Sequence, residues 1–145
     1  MLATKTSITS NNHVREFTFP RGIAGFPGAT RFAFIYEGKG NLLCLQSIDQ
    51  PEAAFILAPW DTTRLGQVPT LSTEQYECLN ITNAQGLRWF VVLNPFADKT
   101  WVTANLKAPI VICESEQTGL QYIRNQPQLH LRFKWMKQPQ PACRA

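Results

Sequence analysis

The sequence predicts an all-β fold, mainly β with one short helix, arranged as a single-domain, barrel-like, coiled antiparallel sheet. About eight or nine short apolar or alternating segments are separated by turn residues every ~8–12 positions, which is typical of small sandwiches and barrels. A chain of 145 residues is one domain by length. Its 44% apolar and 11% aromatic content indicates a packed core rather than disorder.

The strongest strand signal is a hairpin in residues 42–60. Residues 42–48 and 53–58 are apolar almost throughout, and the polar cluster Asp49-Gln50-Pro51-Glu52 separates them. That cluster is turn chemistry, and the Asp49 side chain can bond back to the backbone there. A helix is the alternative interpretation, but runs this short favour strands. Strands that are apolar on both faces must be covered on both faces, so we expect the rest of the chain to wrap over this hairpin.

The N-terminal part predicts a strand followed by a long loop. After a loose lead-in over residues 1–12, apolar and polar side chains alternate over residues 15–19, as in a half-buried strand. Residues 19–28 then contain two Pro and three Gly, which exclude regular structure. The Gly spacing fits no phosphate-binding loop. We expect Ile23 and Phe26 to reach the core from this loop.

The remaining elements are short. Strands are predicted over 31–36, 87–93, 101–106, 109–113, 120–124 and 129–135, each rich in β-forming residues and bounded by turn signals. Residues 37–41 and 61–70 are predicted as a turn and a loop. The best helix candidate is residues 71–80, because Ser72 can cap it and Gln75 completes a capping box.

The last predicted strand is also where the charge is concentrated. The formal charge is +4, yet residues 1–116 carry nine bases and ten acids, whereas residues 117–145 carry five bases and no acid. In the strand, Leu129, Leu131, Phe133 and Trp135 alternate with His130, Arg132 and Lys134, which predicts an apolar inner face and a cationic outer face. We expect a domain over residues 1–136 and a flexible, basic, Pro-containing tail over 137–145.

No constellation in the sequence indicates catalysis or a metal. The two histidines, His13 and His130, lack metal-ligand spacing, and the four cysteines contain no C-x-x-C pair. No nucleophile motif is present. The sequence therefore predicts a protein that is not an enzyme and needs no cofactor. It also contains neither an apolar run long enough to span a membrane nor an N-terminal signal segment, so we expect a cytoplasmic protein without membrane contact.

Direct RNA binding is the alternative that the basic end of the chain leaves open. A small basic barrel could follow phosphates with its C-terminal cationic strand and tail and stack bases on Phe133 and Trp135. The alternation argues against it, because rings that face the core cannot stack on bases. We expect direct nucleic-acid binding to be the weaker hypothesis.

Four stretches together resemble the FliW family of flagellar assembly factors. They are FPRGIAGFPGATRFAF (19–34), LCLQSIDQPEAAFILAPW (43–60), TANLKAPIVI (103–112) and GLQYI (119–123). The resemblance implies a small, barrel-like, non-catalytic cytoplasmic protein. It implies two partners, the RNA-binding translational repressor CsrA, whose block on flagellin mRNA is relieved, and flagellin itself. We expect a monomer.

The residues themselves suggest where a partner would bind. Exposed aromatic side chains beside loops are candidates, and so are cations on the last strand. We predict partner contacts at Trp60, Phe96, Trp101, Arg132 and Lys134. In the third stretch, Thr103 and Asn105 can bond to backbone at a strand break, and Pro109 can begin the next strand.

Overall fold

The computed structural model describes residues 15–36 and 41–139. The predicted lead-in, most of the 37–41 turn and most of the predicted tail lie outside these residues, as do His13 and Cys143. Within the described ranges the chain forms eight strands and two short helices. In order they are β1 Glu16–Thr18, β2 Arg31–Tyr36, β3 Leu43–Ser47, β4 Ala54–Pro59, α1 Thr62–Leu65, α2 Thr73–Cys78, β5 Leu87–Asn94, β6 Trp101–Cys113, β7 Thr118–Gln121 and β8 Phe133–Lys137.

Seven of the strands close into a barrel, which confirms the predicted all-β fold. The strand order is β5-β4-β3-β2-β1-β7-β6-β8, and β5 also pairs with β6, so the ring closes and β8 lies outside it. All pairings are antiparallel except the short parallel pairing of β1 with β7. The 13-residue β6 holds β7 against its second half and β8 against residues 101–104 of its first half.

The β3–β4 hairpin confirms the strand interpretation of residues 42–60, but its burial is one-sided. Leu43, Leu45 and Ser47 are buried, whereas Cys44 and Gln46 between them are half-buried. A barrel strand has an inner and an outer face, and the outer face here is only partly covered, so the predicted burial of both faces is wrong. The turn is held by Ser47 Oγ, which accepts from the Gln50 backbone N–H at 2.9 Å.

The barrel core is largely aromatic. Phe17, Phe19, Phe32 and Phe90 are each at most 1% exposed. Phe19 and Phe32 meet edge-on with ring centroids 5.1 Å apart, a favourable aromatic geometry. The Gly-rich loop contributes as predicted, because Ile23 is buried and Phe26 packs against the same cluster.

The two helices both lie in the segment of the chain that connects β4 to β5. Helix α2 confirms the predicted capping box, since Ser72 Oγ accepts from the Gln75 N–H at 3.2 Å and Gln75 Oε1 accepts from the Ser72 N–H at 2.8 Å. Helix α1 lies in residues 61–70, which were predicted as loop. Asp61 caps it by accepting from the Thr63 N–H at 3.0 Å. The sequence contains this capping residue, but a helix of a single turn is hard to recognise from sequence.

Residues 101–113 form one strand where two were predicted. Pro109 is tolerated inside it because the register against β5 shifts there: Phe90 pairs with Ile110, but Val92 pairs with Asn105. Asn105 Oδ1 accepts from the Lys107 N–H at 2.9 Å, as expected for a side chain that bonds to backbone at an interruption.

The two C-terminal strands are displaced from their predicted bounds. Strand β7 ends at Gln121 instead of residue 124, although the Tyr122 N–H still donates to the Pro109 carbonyl at 2.8 Å. Strand β8 begins at Phe133, so Leu131 is 58% exposed and not part of an inner face. The reason is that β8 pairs with residues 101–104 of β6, next to the β5–β6 loop. Only the later half of the predicted strand, from Phe133 onward, reaches these residues.

Candidate protein-binding surface

The loop between β5 and β6, residues 95–100, is held in shape by its own side chains. Asn94 Oδ1 accepts from the Phe96 backbone N–H at 2.8 Å. Asp98 Oδ2 accepts from the N–H groups of Thr100 at 2.8 Å and Trp101 at 3.0 Å. These side-chain-to-backbone bonds are the turn-stabilising contacts that Asn and Asp favour, so the loop has a defined conformation.

Gln138 joins this loop to the end of β8. Its Nε2 donates to the carbonyl oxygens of Pro95 at 2.7 Å, Asp98 at 3.1 Å and Trp101 at 3.2 Å. Its backbone N–H donates to the Thr100 carbonyl at 2.8 Å. One side chain thus satisfies several loop carbonyls, and the loop and the end of β8 form one structural unit.

Aromatic and cationic side chains project from this unit. Phe96 is 91% exposed. Trp101 is half-buried, and the ammonium nitrogens of Lys134 and Lys137 each lie 5.6 Å from its ring centroid. Both lysines are on the ring's side of the sheet because Trp101 pairs with Lys137 and Thr103 with Lys134. We call Phe96, Lys99, Trp101, Arg132, Lys134 and Lys137 the Phe96 surface.

The Phe96 surface is positively charged. Residues 95–101 and 131–138 contain four bases and one acid, which sum to +3. The acid, Asp98, is engaged by backbone N–H groups. The ion pairs of the described chain involve Arg31, Arg64 and Arg88, so none of the four bases of this surface is neutralised by one.

Asp98 makes the loop sensitive to acid. Backbone hydrogen bonds from Thr100 and then Trp101 hold its pKa below the usual value against the opposing effect of desolvation, and Lys134 and Arg132 lower it further. The pKa of Asp98 is lower in the folded state than in the unfolded state, so the ionised carboxylate stabilises the fold. This stabilisation is complete above the unfolded-state pKa of about 3.9 and is lost as the pH falls through the lower folded-state pKa.

We therefore expect Asp98→Asn to be less stable than the wild type by an amount that is constant from pH 5 to 8 and shrinks below about pH 4. Urea unfolding midpoints at pH 7, 5, 3.5 and 2.5 measure this difference. If the difference in unfolding midpoint between the variant and the wild type stays the same down to pH 2.5, the Asp98 charge does not hold the loop.

Strand β8 is attached on its other side by Arg64 of α1. The Arg64 guanidinium lies 4.1 Å from the Trp135 ring centroid and 5.6 Å from that of Phe133. Its Nη1 donates to the Trp135 carbonyl at 3.0 Å, and its Nε donates to Asp61 Oδ2 at 3.1 Å. Phe133 and Trp135 also pack against the buried cluster that contains Val91. These two rings are therefore occupied by the fold.

Because only a planar guanidinium can stack and donate in this way, we expect Arg64→Lys to loosen β8. The free energy of unfolding should fall by about 1 kcal/mol, and the β8 amides should exchange faster with solvent. Denaturant unfolding and hydrogen exchange measure both effects. Arg21→Lys, at an exposed turn position, is the control; equal effects of the two variants would contradict the role of Arg64.

The fold brings together four of the five predicted contact residues and separates the fifth. Phe96, Trp101, Arg132 and Lys134 belong to the Phe96 surface. Trp60 lies elsewhere: its Nε1 donates to the Gly66 carbonyl at 2.8 Å, and its ring meets Trp89 edge-on at 6.2 Å. Sequence reasoning missed Lys137 and Gln138, because the polar–apolar alternation ends at Trp135, where a second apolar residue, Met136, follows.

Two concave features lie away from this surface. A cavity of about 370 Å³ at one mouth of the barrel is lined by Phe17, Phe34 and Arg88, among others, and Arg88 is paired with Glu114 at 2.6 Å. A groove of about 570 Å³ lies beside Trp60, Tyr76 and Trp89. The described residues contain no group of three or more His, Cys, Asp or Glu side chains that could hold a metal ion. None of the helices in these ranges is long and apolar enough to cross a membrane.

These features define a small β-barrel with an appended strand and a preformed, exposed surface. The family model "FliW protein" matches residues 3–135. The flagellar assembly factor FliW of Syntrophus aciditrophicus is 28% identical over 118 residues, covering 81% of this chain and 75% of that protein. The flagellar assembly factor FliW of Thermotoga neapolitana is 30% identical over 118 residues, covering 80% and 79%.

Structural comparison agrees with the sequence comparisons. The crystal structure of a flagellar assembly factor FliW superposes with a TM-score of 0.71 at 26% identity, covering 87% of this chain and 89% of that one. The chain belongs to the FliW family of flagellar assembly factors. The family match ends at Trp135, so the last residues of β8 lie beyond it.

Proposed function

We propose that this protein is a non-catalytic, cytoplasmic regulator of flagellum assembly that acts by binding other proteins. Its partners are a CsrA-type RNA-binding repressor, flagellin or both, and binding relieves repression of flagellin translation. The observation that carries the proposal is the family match over residues 3–135, which includes all seven strands of the barrel. The protein acts as a monomer, and its domain extends past the predicted end at residue 136, because Lys137 belongs to β8 and Gln138 bonds to the loop of residues 95–100.

The Phe96 surface is the proposed contact site. It combines the exposed Phe96 ring, on a loop whose backbone is already fixed, with Trp101 and Arg132, which are residue types enriched at protein-binding hot spots. Trp60 stays a prediction as a contact residue, and its hydrogen bond to Gly66 favours a contribution to folding.

A gel shift with flagellin leader RNA tests the proposal. We expect no shift with this protein alone, a shift with the repressor alone, and reversal of that shift when this protein is added. Calorimetry with purified flagellin tests the second partner. If neither the repressor nor flagellin binds, the proposed function is wrong.

The same gel shift tests direct RNA binding. A salt-sensitive shift by this protein alone would support that alternative, because phosphate contacts weaken as salt rises. Stacking by Phe133 and Trp135 is disfavoured, since Arg64 covers both rings from one side and the barrel wall supports them.

A further inference from the structure

We propose that the Phe96 surface binds an acidic protein surface, with Phe96 entering an apolar pocket of the partner and partner carboxylates pairing with the surrounding bases. This inference deepens the proposed function, on which it rests for the partner's being a protein. It adds the chemistry that the partner must present and the residue that anchors it.

The exposure of Phe96 is the first argument. A phenylalanine ring that is 91% exposed gains almost no hydrophobic stabilisation from the fold. The free energy of burying its apolar surface can therefore be gained only when a partner covers it. A single exposed apolar residue is ordinary on a protein surface. Phe96 differs because the backbone that carries it is fixed by Asn94, by Asp98 and by three bonds from Gln138. A preorganised anchor loses little entropy on binding, which raises affinity.

The charge around Phe96 is the second argument. Lys99 lies on the same loop as Phe96, and Arg132, Lys134 and Lys137 lie on the segment that Gln138 joins to that loop. None of the four makes an ion pair in the described chain. The Asp98 carboxylate, which accepts from backbone N–H groups and also attracts Lys134 and Arg132, reduces their summed charge to +3. Like charges across an interface cost affinity, whereas opposite charges increase the association rate and select the partner. The partner face must therefore be acidic.

Trp101 positions two of these cations. The ammonium groups of Lys134 and Lys137 each lie 5.6 Å from the Trp101 ring centroid, so both charges are held at one ring before a partner arrives. In this arrangement Trp101 is a support for the cations, and Phe96 is the anchor.

Other occupants fit the surface less well. The chain's own last residues, 140–145, contain Arg144 and no acid, and a second copy that paired symmetrically through this surface would bring the same positive charge. A nucleic acid could stack its bases on the exposed Phe96 ring but not on Phe133 and Trp135 of the adjoining strand, because those two rings pack against the fold. The combination of one anchor and several cations fits a folded acidic partner best.

Affinity measurements with purified flagellin and purified CsrA-type repressor test the inference. For whichever protein binds, we expect Phe96→Ala to weaken binding about tenfold or more. The double variant Lys134→Glu/Lys137→Glu should weaken it further and remove the decrease in affinity between 50 and 300 mM NaCl that the wild type shows. Ile123→Ala and Arg21→Glu, at exposed positions outside the surface, are matched controls and should bind as the wild type does. Thermal unfolding of each variant checks that it is folded.

Unchanged affinity in the Phe96 and lysine variants, with binding intact in the wild type, overturns the inference and leaves the proposed function standing. A second experiment does not depend on the identity of the partner. Benzoylphenylalanine placed at position 96 in the source bacterium should cross-link under light to one protein, at an apolar pocket bordered by acidic residues, whereas the same group at position 123 should not. No cross-link at position 96, or one to a pocket bordered by basic residues, overturns the inference. A cross-linked protein other than flagellin or the repressor supports the inference if, once purified, it binds the wild type and loses affinity for the Phe96→Ala variant; unchanged affinity for that variant overturns the inference.

Discussion

Phe32→Ala is expected to lower the free energy of unfolding by about 3–5 kcal/mol, because it removes a large ring from a close-packed core. Phe32 is 0% exposed, and its ring centroid lies 5.1 Å from that of Phe19 and 6.3 Å from that of Phe55. Since a domain of this size has a total stability of about 5–15 kcal/mol, the variant should be close to unfolding at physiological temperature.

Phe96→Ala is the matched comparison, because it makes the same chemical change at a position that is 91% exposed. We expect its stability to remain within about 0.5 kcal/mol of the wild type. Urea unfolding of both variants, with the slope checked for two-state behaviour, measures the difference. A large loss at Phe96 would mean that the ring packs against the fold and is not available to a partner.

Gly119→Ala is expected to destabilise the barrel by about 1–3 kcal/mol through overpacking. A Cβ at this position would overlap Phe19 Cζ and lie 2.5 Å from Cε1, and Phe19 is itself fully buried. The site lies next to the weakest closure of the barrel, where β1 and β7 share only the pair Thr18 and Thr118. An added methyl group must therefore displace the ring or open this junction.

Gly28→Ala is the control for that prediction. Its new Cβ would meet nothing closer than Gln50 Nε2 at 3.6 Å, and we expect a change within about 0.5 kcal/mol. Calorimetric unfolding of the two variants measures the contrast. The double variant Gly119→Ala/Phe19→Leu should cost less than the sum of the two single changes, because the smaller side chain makes room for the methyl group. Strict additivity would show that the Phe19 ring is not the obstacle.

The strands, most turns and the capped helix follow from local chemistry, which a single sequence displays. Strand β2 has the predicted bounds, and the capping box of α2 consists of side chains three positions apart. The errors share a cause. Pro109 lies within a strand only because a register shift against β5 accommodates it, and β8 begins late because β6 decides which residues it can pair with.

The candidate surface shows the same division. Exposed aromatic residues beside loops and a cationic strand could be recognised without coordinates, and four of the five predicted contacts belong to one surface. Lys137 and Gln138 could not be recognised, because their importance comes from contacts with Trp101 and with the loop of residues 95–100. Those contacts join segments 36 to 43 positions apart in the chain, and nothing local specifies them.

By itself the sequence determined the all-β class, the composition of the core, the positions of the turns and the family, because each of these depends on residue types at short spacing. Only the tertiary structure decided that the first half of β6 receives β8, that Arg64 and Gln138 attach that strand on two sides, and that the loop carrying the exposed Phe96 is joined to a cationic strand. These are outcomes of long-range pairing, in which the gain from each contact depends on the position of every other strand.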